Sequence, residues 1–197
     1  MARSTFIYAT YIRTTPEKLW AALTEDVEFM KQYWFGVHCE SQWTAGSPWK
    51  MVHPDGRILD AGEIVESEPP KRLVIRWQHQ DKPELKAEGS SLCTMELEPS
   101  GAAVKLSITH IIERESSKLI EAVSGGWPKV ISNLKSLIET GSAVLTDPYP
   151  ATSTHTADTA HITNAPARSA TISTVPFATT QSGFHEGRDP VDGGKER

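Results

Sequence analysis

Three imidazoles, those of His53, His79 and His110, are the side chains in this 197-residue sequence best suited to acid–base chemistry, because histidine titrates near neutral pH without help. Asp60, Glu63 and Arg76 are their candidate partners. His110 is the strongest of the three: it follows Ile108 by two positions in an alternating apolar run, so a strand would turn both to one face. An imidazole alone on an apolar face is more often a hydrogen-bonded core residue than a catalyst, and no catalytic residue is assigned. The sequence holds no HExxH, GxSxG, GxxxxGK[ST] or GxGxxG pattern in its first 145 residues, so zinc, nucleophilic and phosphate-loop mechanisms have no motif to start from. Cys39 and Cys93 lack CxxC spacing and basic flanking residues, and read as reduced, buried packing thiols. His155, His161 and His185 are too far apart for a compact ligand set, so neither a metal nor a cofactor is expected.

The elements that must carry these residues follow from periodicity and punctuation. Residues 6–13 are rich in aromatic and β-branched types and predict a strand, ended by Thr14-Thr15-Pro16, where a threonine caps a helix opened by proline. Two short helices are predicted at 16–24 and 27–33. Six strands follow, at 36–43, 49–53, 57–66, 72–80, 91–98 and 103–113, joined by turns such as Pro54-Asp55-Gly56 and Pro99-Ser100-Gly101. Hairpin connections imply an antiparallel, curved sheet. A long helix then begins after Ser116 or Ser117, carries Leu119, Val123, Trp127, Val130, Ile131, Leu134, Leu137 and Ile138 on one stripe, and stops at Gly141. Gly125-Gly126 and Pro128 predict a kink or restart within it, with a local opening beside Trp127.

This order is α+β: one face of the sheet must cover the stripe of the last helix. Alternation turns Trp49, Met51 and His53 one way, and likewise Leu73, Ile75 and Trp77, then Cys93, Met95 and Leu97, then Ile108 and His110. A curved sheet around a helix leaves space, and Trp49, Met51, Ile75, Trp77, Met95, Ile108, His110 and Trp127 are the residues expected to line it and bind a ligand there.

Net charge −5, from 20 Lys+Arg against 25 Asp+Glu, gives no general attraction to nucleic acid, which is not an expected partner. The longest apolar runs fall far short of the roughly 20 residues of a membrane span, and no signal-peptide core follows the N-terminus, so a cytoplasmic protein is expected. From residue 146 to 197 the chain is rich in Thr, Ala, Ser and Pro and lacks Leu, Met and Trp, too little apolar matter to offset ordering entropy. The working domain is therefore 1–145, followed by a disordered tail at 146–197.

The segments TYIRTTPEKLWAALT at 10–24, YWFG at 33–36, SQWTAGSPW at 41–49, PDGRILDAGEIVESEPPKRLVIRW at 54–77, the pair Thr109-His110 and GGWPKVISNLKSLIETG at 125–141 resemble the SRPBCC superfamily. Within it they look most like the C-terminal-domain branch of activators of heat-shock protein 90 ATPase. The resemblance implies a helix-grip fold, a curved seven-stranded antiparallel sheet wrapped around the C-terminal helix, with two short helices between the first two strands and an often apolar cavity. Such relatives include lipid carriers, polyketide cyclases and co-chaperone domains. The expectation is a binder of a small hydrophobic or amphipathic molecule, monomeric or homodimeric. Two alternatives stand beside it: a chaperone-interacting domain, and a cyclase or hydrolase that uses His110.

Overall fold

Thr15 has extended backbone angles and its hydroxyl accepts from the Lys18 amide, so the helix opened by Pro16 starts where its free amides are met. In the computed structural model, which describes residues 2–146, this helix is α1 (Pro16–Thr24), preceded by β1 (Ser4–Ile12). Asp26 caps α2 (Val27–Tyr33) in the same way through the Phe29 amide. Then come β2 (His38–Ser41), β3 (Pro48–Val52), β4 (Ile58–Glu68) and β5 (Arg72–His79), a short α3 (Pro83–Lys86), β6 (Ser91–Ser100), β7 (Ala103–Ile112) and α4 (Lys118–Thr140). The seven strands form one antiparallel sheet in the order β1-β7-β6-β5-β4-β3-β2, and α4 packs along it, the α+β arrangement that the residue pattern implies and the helix-grip fold that the resemblance implies. The tail expected from 146 lies, beyond Thr146 itself, outside the described residues.

Three local features differ from the expectation. β2 is four residues long instead of spanning 36–43, because Phe35 (φ 54°), Gly36 (φ 83°) and Trp43 (φ 56°) adopt left-handed backbone angles that no strand accommodates. The four-residue α3 was not predicted; Pro83 opens it and Leu85 is its one buried residue, too short a pattern for periodicity to register. Finally, α4 does not restart at Gly125-Gly126 or Pro128 but runs unbroken over 23 residues. Buried Trp127, Val130, Ile131 and Leu134 lie on the sheet just beyond the weak point, and Leu119 and Ile120 are buried before it, so packing carries the helix through.

The core lies between the inner sheet face and the stripe of α4, with Leu19, Trp20, Met30 and Tyr33 of α1 and α2 closing one side. Cys39 and Cys93 are buried and unbridged, and burial pushes both thiols well above their ordinary pKa. Three groups of hydrogen bonds fix α4. Ser117 caps it through the Ile120 amide, while the Glu88 carboxylate, from the loop before β6, accepts from the Ser117 hydroxyl and from the Lys118 and Leu119 amides at 2.6–3.1 Å. At the other end Lys135 donates to the Tyr11 carbonyl and Glu139 accepts from the Arg13 amide, tying the helix to β1. Between them Asn133, fully buried, donates to the Tyr33 and Leu145 carbonyls and accepts from the Val144 and Leu145 amides, so all its hydrogen-bonding capacity is used. Among the described residues no helix is long and apolar enough to cross a membrane.

Candidate functional site

Two in-register rows across β3, β4 and β5 define the ground on which a site is built. The first is Trp49, Gly62, Trp77; the second, two residues along each strand, is Met51, Asp60, His79. Residues directly opposite in an antiparallel pair share a face, and here that face looks toward α4. With no side chain on Gly62 to separate them, the Trp49 and Trp77 rings approach to 4.4 Å between centroids. A methyl group there would lie 1.7 Å from the Arg76 carbonyl oxygen, so only glycine fits.

Above the second row lies a cleft of about 420 Å³. Met51, Asp60, Trp77 and His79 form its floor, with Leu59 beside them. Its roof is the first half of α4, where Leu119, Ala122, Val123, Gly126, Trp127 and Val130 recur at helical spacing. Trp34, Phe35 and Val37 close the end nearest α2, and Leu85 of α3 the side. Trp127 packs on Trp34 at 5.4 Å and on Trp77 at 6.0 Å, so three indoles make a continuous apolar wall. Apart from the helix's own backbone, no atom of the described residues comes within 4 Å of where a Cβ on Gly125 or Gly126 would stand, and Gly126 itself borders the cleft. The helix thus leaves room where its side chains stop. A volume of this size with mostly apolar walls and a few polar groups is the general form of a small-molecule site.

The polar groups are unevenly placed. His79 Nδ1 lies 2.8 Å from Asp60 Oδ1, with both side chains largely buried. A carboxylate only accepts, so Nδ1 carries the proton. The other ring nitrogen, Nε2, is buried without a hydrogen-bond partner among the described residues, as is the Trp77 indole nitrogen. At the rim Arg57 bridges Asp55 and Asp81 at 2.8 and 2.9 Å, and its guanidinium holds the Asp55 carboxyl well below the usual carboxylate range. His53 completes that rim beside Asp55. Glu63 and Arg76 pair with each other on the exposed side of the sheet, apart from the cleft.

Of the residues expected to line a ligand space, Met51, Trp77 and Trp127 border this cleft. Trp49, Ile75, Met95, Ile108 and His110 share the inner face but lie in the packed layer away from it. His110 is wholly buried, 2.6 Å from the Ser91 hydroxyl, whose proton goes to the Trp77 carbonyl at 3.2 Å. That assignment makes Nε2 of His110 the donor and leaves Nδ1 as an unprotonated, unmatched acceptor. Burial lowers the His110 pKa to about 4, so the ring is neutral near pH 7 and acts as a core residue that ties β7 to β6. Trp34, Phe35, Leu59, Leu85 and Val123 enter the cleft without having been assigned to it. Trp34 sits in the YWFG segment, a signal of likeness, but its left-handed neighbour Phe35 takes it out of reach of any strand or helix periodicity.

Comparison with known proteins agrees with the fold. Residues 13–139 match the family described as activator of Hsp90 ATPase homolog 1-like protein. No curated protein matches the chain. Among solved structures, the protein MLL2253 from Mesorhizobium loti is 22% identical, with 68% of this chain and 96% of that one covered at a TM-score of 0.55. PFC0360w, an HSP90 activator from Plasmodium falciparum, is 21% identical, with 68% and 94% covered at 0.55. The Aha1 dimer from Colwellia psychrerythraea is 21% identical, with 70% and 98% covered at 0.56. At these identities the solved structures establish the fold, and the family match over most of the folded residues goes further: the chain belongs to the activator of Hsp90 ATPase homolog 1-like family.

Proposed function

We propose that this protein binds a small hydrophobic or amphipathic molecule in the cleft between β3–β5 and the first half of α4. The supporting observation is the three-indole wall of Trp34, Trp77 and Trp127 around a volume of about 420 Å³ beside Gly126, where the helix supplies no side chain to fill it. An apolar ligand there removes surface from water at roughly 25 cal/mol per Å², before the cost of ordering it. Fluorescence of the indoles at the wall reports occupancy. A panel of apolar and aromatic molecules should contain members that quench it, raise the melting temperature and survive native mass spectrometry as bound mass. A panel that does none of these contradicts the reading.

A second reading, interaction with a chaperone, is favoured by one observation: the Plasmodium falciparum relative is described as an HSP90 activator. Addition of the protein should then change the ATP turnover of a purified chaperone of that class. Unchanged turnover, with no complex in sedimentation, removes it.

A further inference from the structure

We propose that the His79–Asp60 pair is a recognition site for a hydrogen-bond donor, and that the ligand class of the cleft is a flat aromatic molecule bearing a hydroxyl group. The proposal rests on the reading of the cleft as a binding site and specifies what that site selects.

Asp60 and His79 are register partners on neighbouring strands, so the sheet itself sets the distance of 2.8 Å between Oδ1 and Nδ1. Because the carboxylate can only accept, it fixes the proton on Nδ1 and, in the neutral ring, leaves Nε2 as a lone-pair acceptor. That nitrogen is buried and has no partner among the described residues, although the residue that carries it borders the cleft. A buried acceptor left unmet is costly, and a ligand that supplies a donor recovers the cost. Two residues back on the same strand face, Trp77 offers the complementary group, an indole N–H that is likewise buried and unmatched.

The chemistry of these two groups narrows the ligand. An O–H donates to the imidazole and its oxygen can accept from the indole, so a hydroxyl suits both. A carboxylate has no proton to give Nε2 and would be set near the negative charge of Asp60. The walls ask for a flat apolar body, since Trp34, Trp77 and Trp127 present ring surface and the volume accommodates two fused rings. The cations that border the cleft, Arg57, Lys82 and Lys129, do not compete for this role, because an ammonium or guanidinium has no lone pair to accept the hydroxyl proton, and Arg57 is already held by Asp55 and Asp81.

The test compares naphthol, methylnaphthalene and naphthoate by calorimetric titration of the full chain. The expected result is that naphthol binds about tenfold more tightly than methylnaphthalene, and that naphthoate binds no better than methylnaphthalene. In His79→Phe, which keeps a ring but loses the acceptor, the preference for naphthol should vanish while methylnaphthalene binding persists. Asp60→Asn, which no longer fixes the tautomer, should reduce the preference and serves as the second variant if His79→Phe does not fold. Equal binding of naphthol and methylnaphthalene to the wild type, or a preference that survives both substitutions, overturns the proposal and leaves the cleft a binding site. Absence of binding by all three probes instead counts against the cleft as a binding site, and the proposal falls with it.

Discussion

The indole rings of Trp49 and Trp77 meet at 4.4 Å across Gly62, a residue whose lack of a side chain lets three strands share one aromatic row. The row matters because Trp77 is also the floor of the cleft and the partner of Trp127 on α4. A substitution that disturbs the row therefore reaches both the core and the candidate site.

Gly62→Ala is the sharpest test of that relationship. The added methyl would stand 1.7 Å from the Arg76 carbonyl, a backbone atom that cannot swing aside. The pairing of β4 with β5 must shift, at a cost of about 3 kcal/mol. Urea denaturation should show the midpoint falling accordingly, with loss of the exciton signal between the paired indoles in near-ultraviolet circular dichroism. A variant as stable as the wild type would mean that the strands are not held this closely.

Glu88 should act as a remote cap for α4. Burial alone would raise its pKa, but hydrogen bonds from the Ser117 hydroxyl and the Leu119 and Lys118 amides outweigh this and hold the carboxyl below its ordinary value. The folded state therefore gains from the ionised form, a gain present above the ordinary carboxylate pKa and lost as the pH falls through the lowered one. Glu88→Ala should cost about 1–2 kcal/mol near neutral pH, and the difference from wild type should shrink in acid. A difference that does not change with pH would show that the charge contributes nothing.

How much of this was readable from the residues differs by feature. The faces of the strands were legible, because alternation needs only a period of two, and Trp77 and Met51 were reachable that way, while Trp127 was reachable from the helical stripe of α4. What alternation does not tell is where α4 crosses the sheet, and that crossing decides which inner-face residues are covered. Ile75 and His79 lie on one face of β5, yet Ile75 is packed while His79 borders the cleft. The Asp60–His79 pair depends on the β4–β5 register, which includes a shift between Ile64 and Glu66 that no local pattern announces. Glu88 caps a helix that begins 30 residues later, and no spacing rule announces the four hydrogen bonds of Asn133.

His110 supplies a pH dependence of its own. Its pKa is lowered by burial to about 4, below the ordinary histidine value, so the unfolded chain takes up the proton first. The sign is that stability is fully present above the unfolded value and is lost as the pH falls toward the folded one. Between about pH 7 and about pH 5 the loss attributable to this residue is about 2 kcal/mol. Denaturation midpoints across that window should fall for the wild type and fall less for His110→Gln. Parallel slopes for the two proteins would show that the imidazole is not shielded as described.

The most direct measurement is a titration followed through the indole N–H resonances of the six tryptophans, with naphthalene as the apolar probe and with Gly126→Leu as the filled-cleft control. Occupancy of the cleft should shift Trp34, Trp77 and Trp127, leave Trp20 nearly unchanged, and produce no response in Gly126→Leu. Resonances that stay still in the wild type, or that move equally in the filled variant, would contradict binding in the cleft.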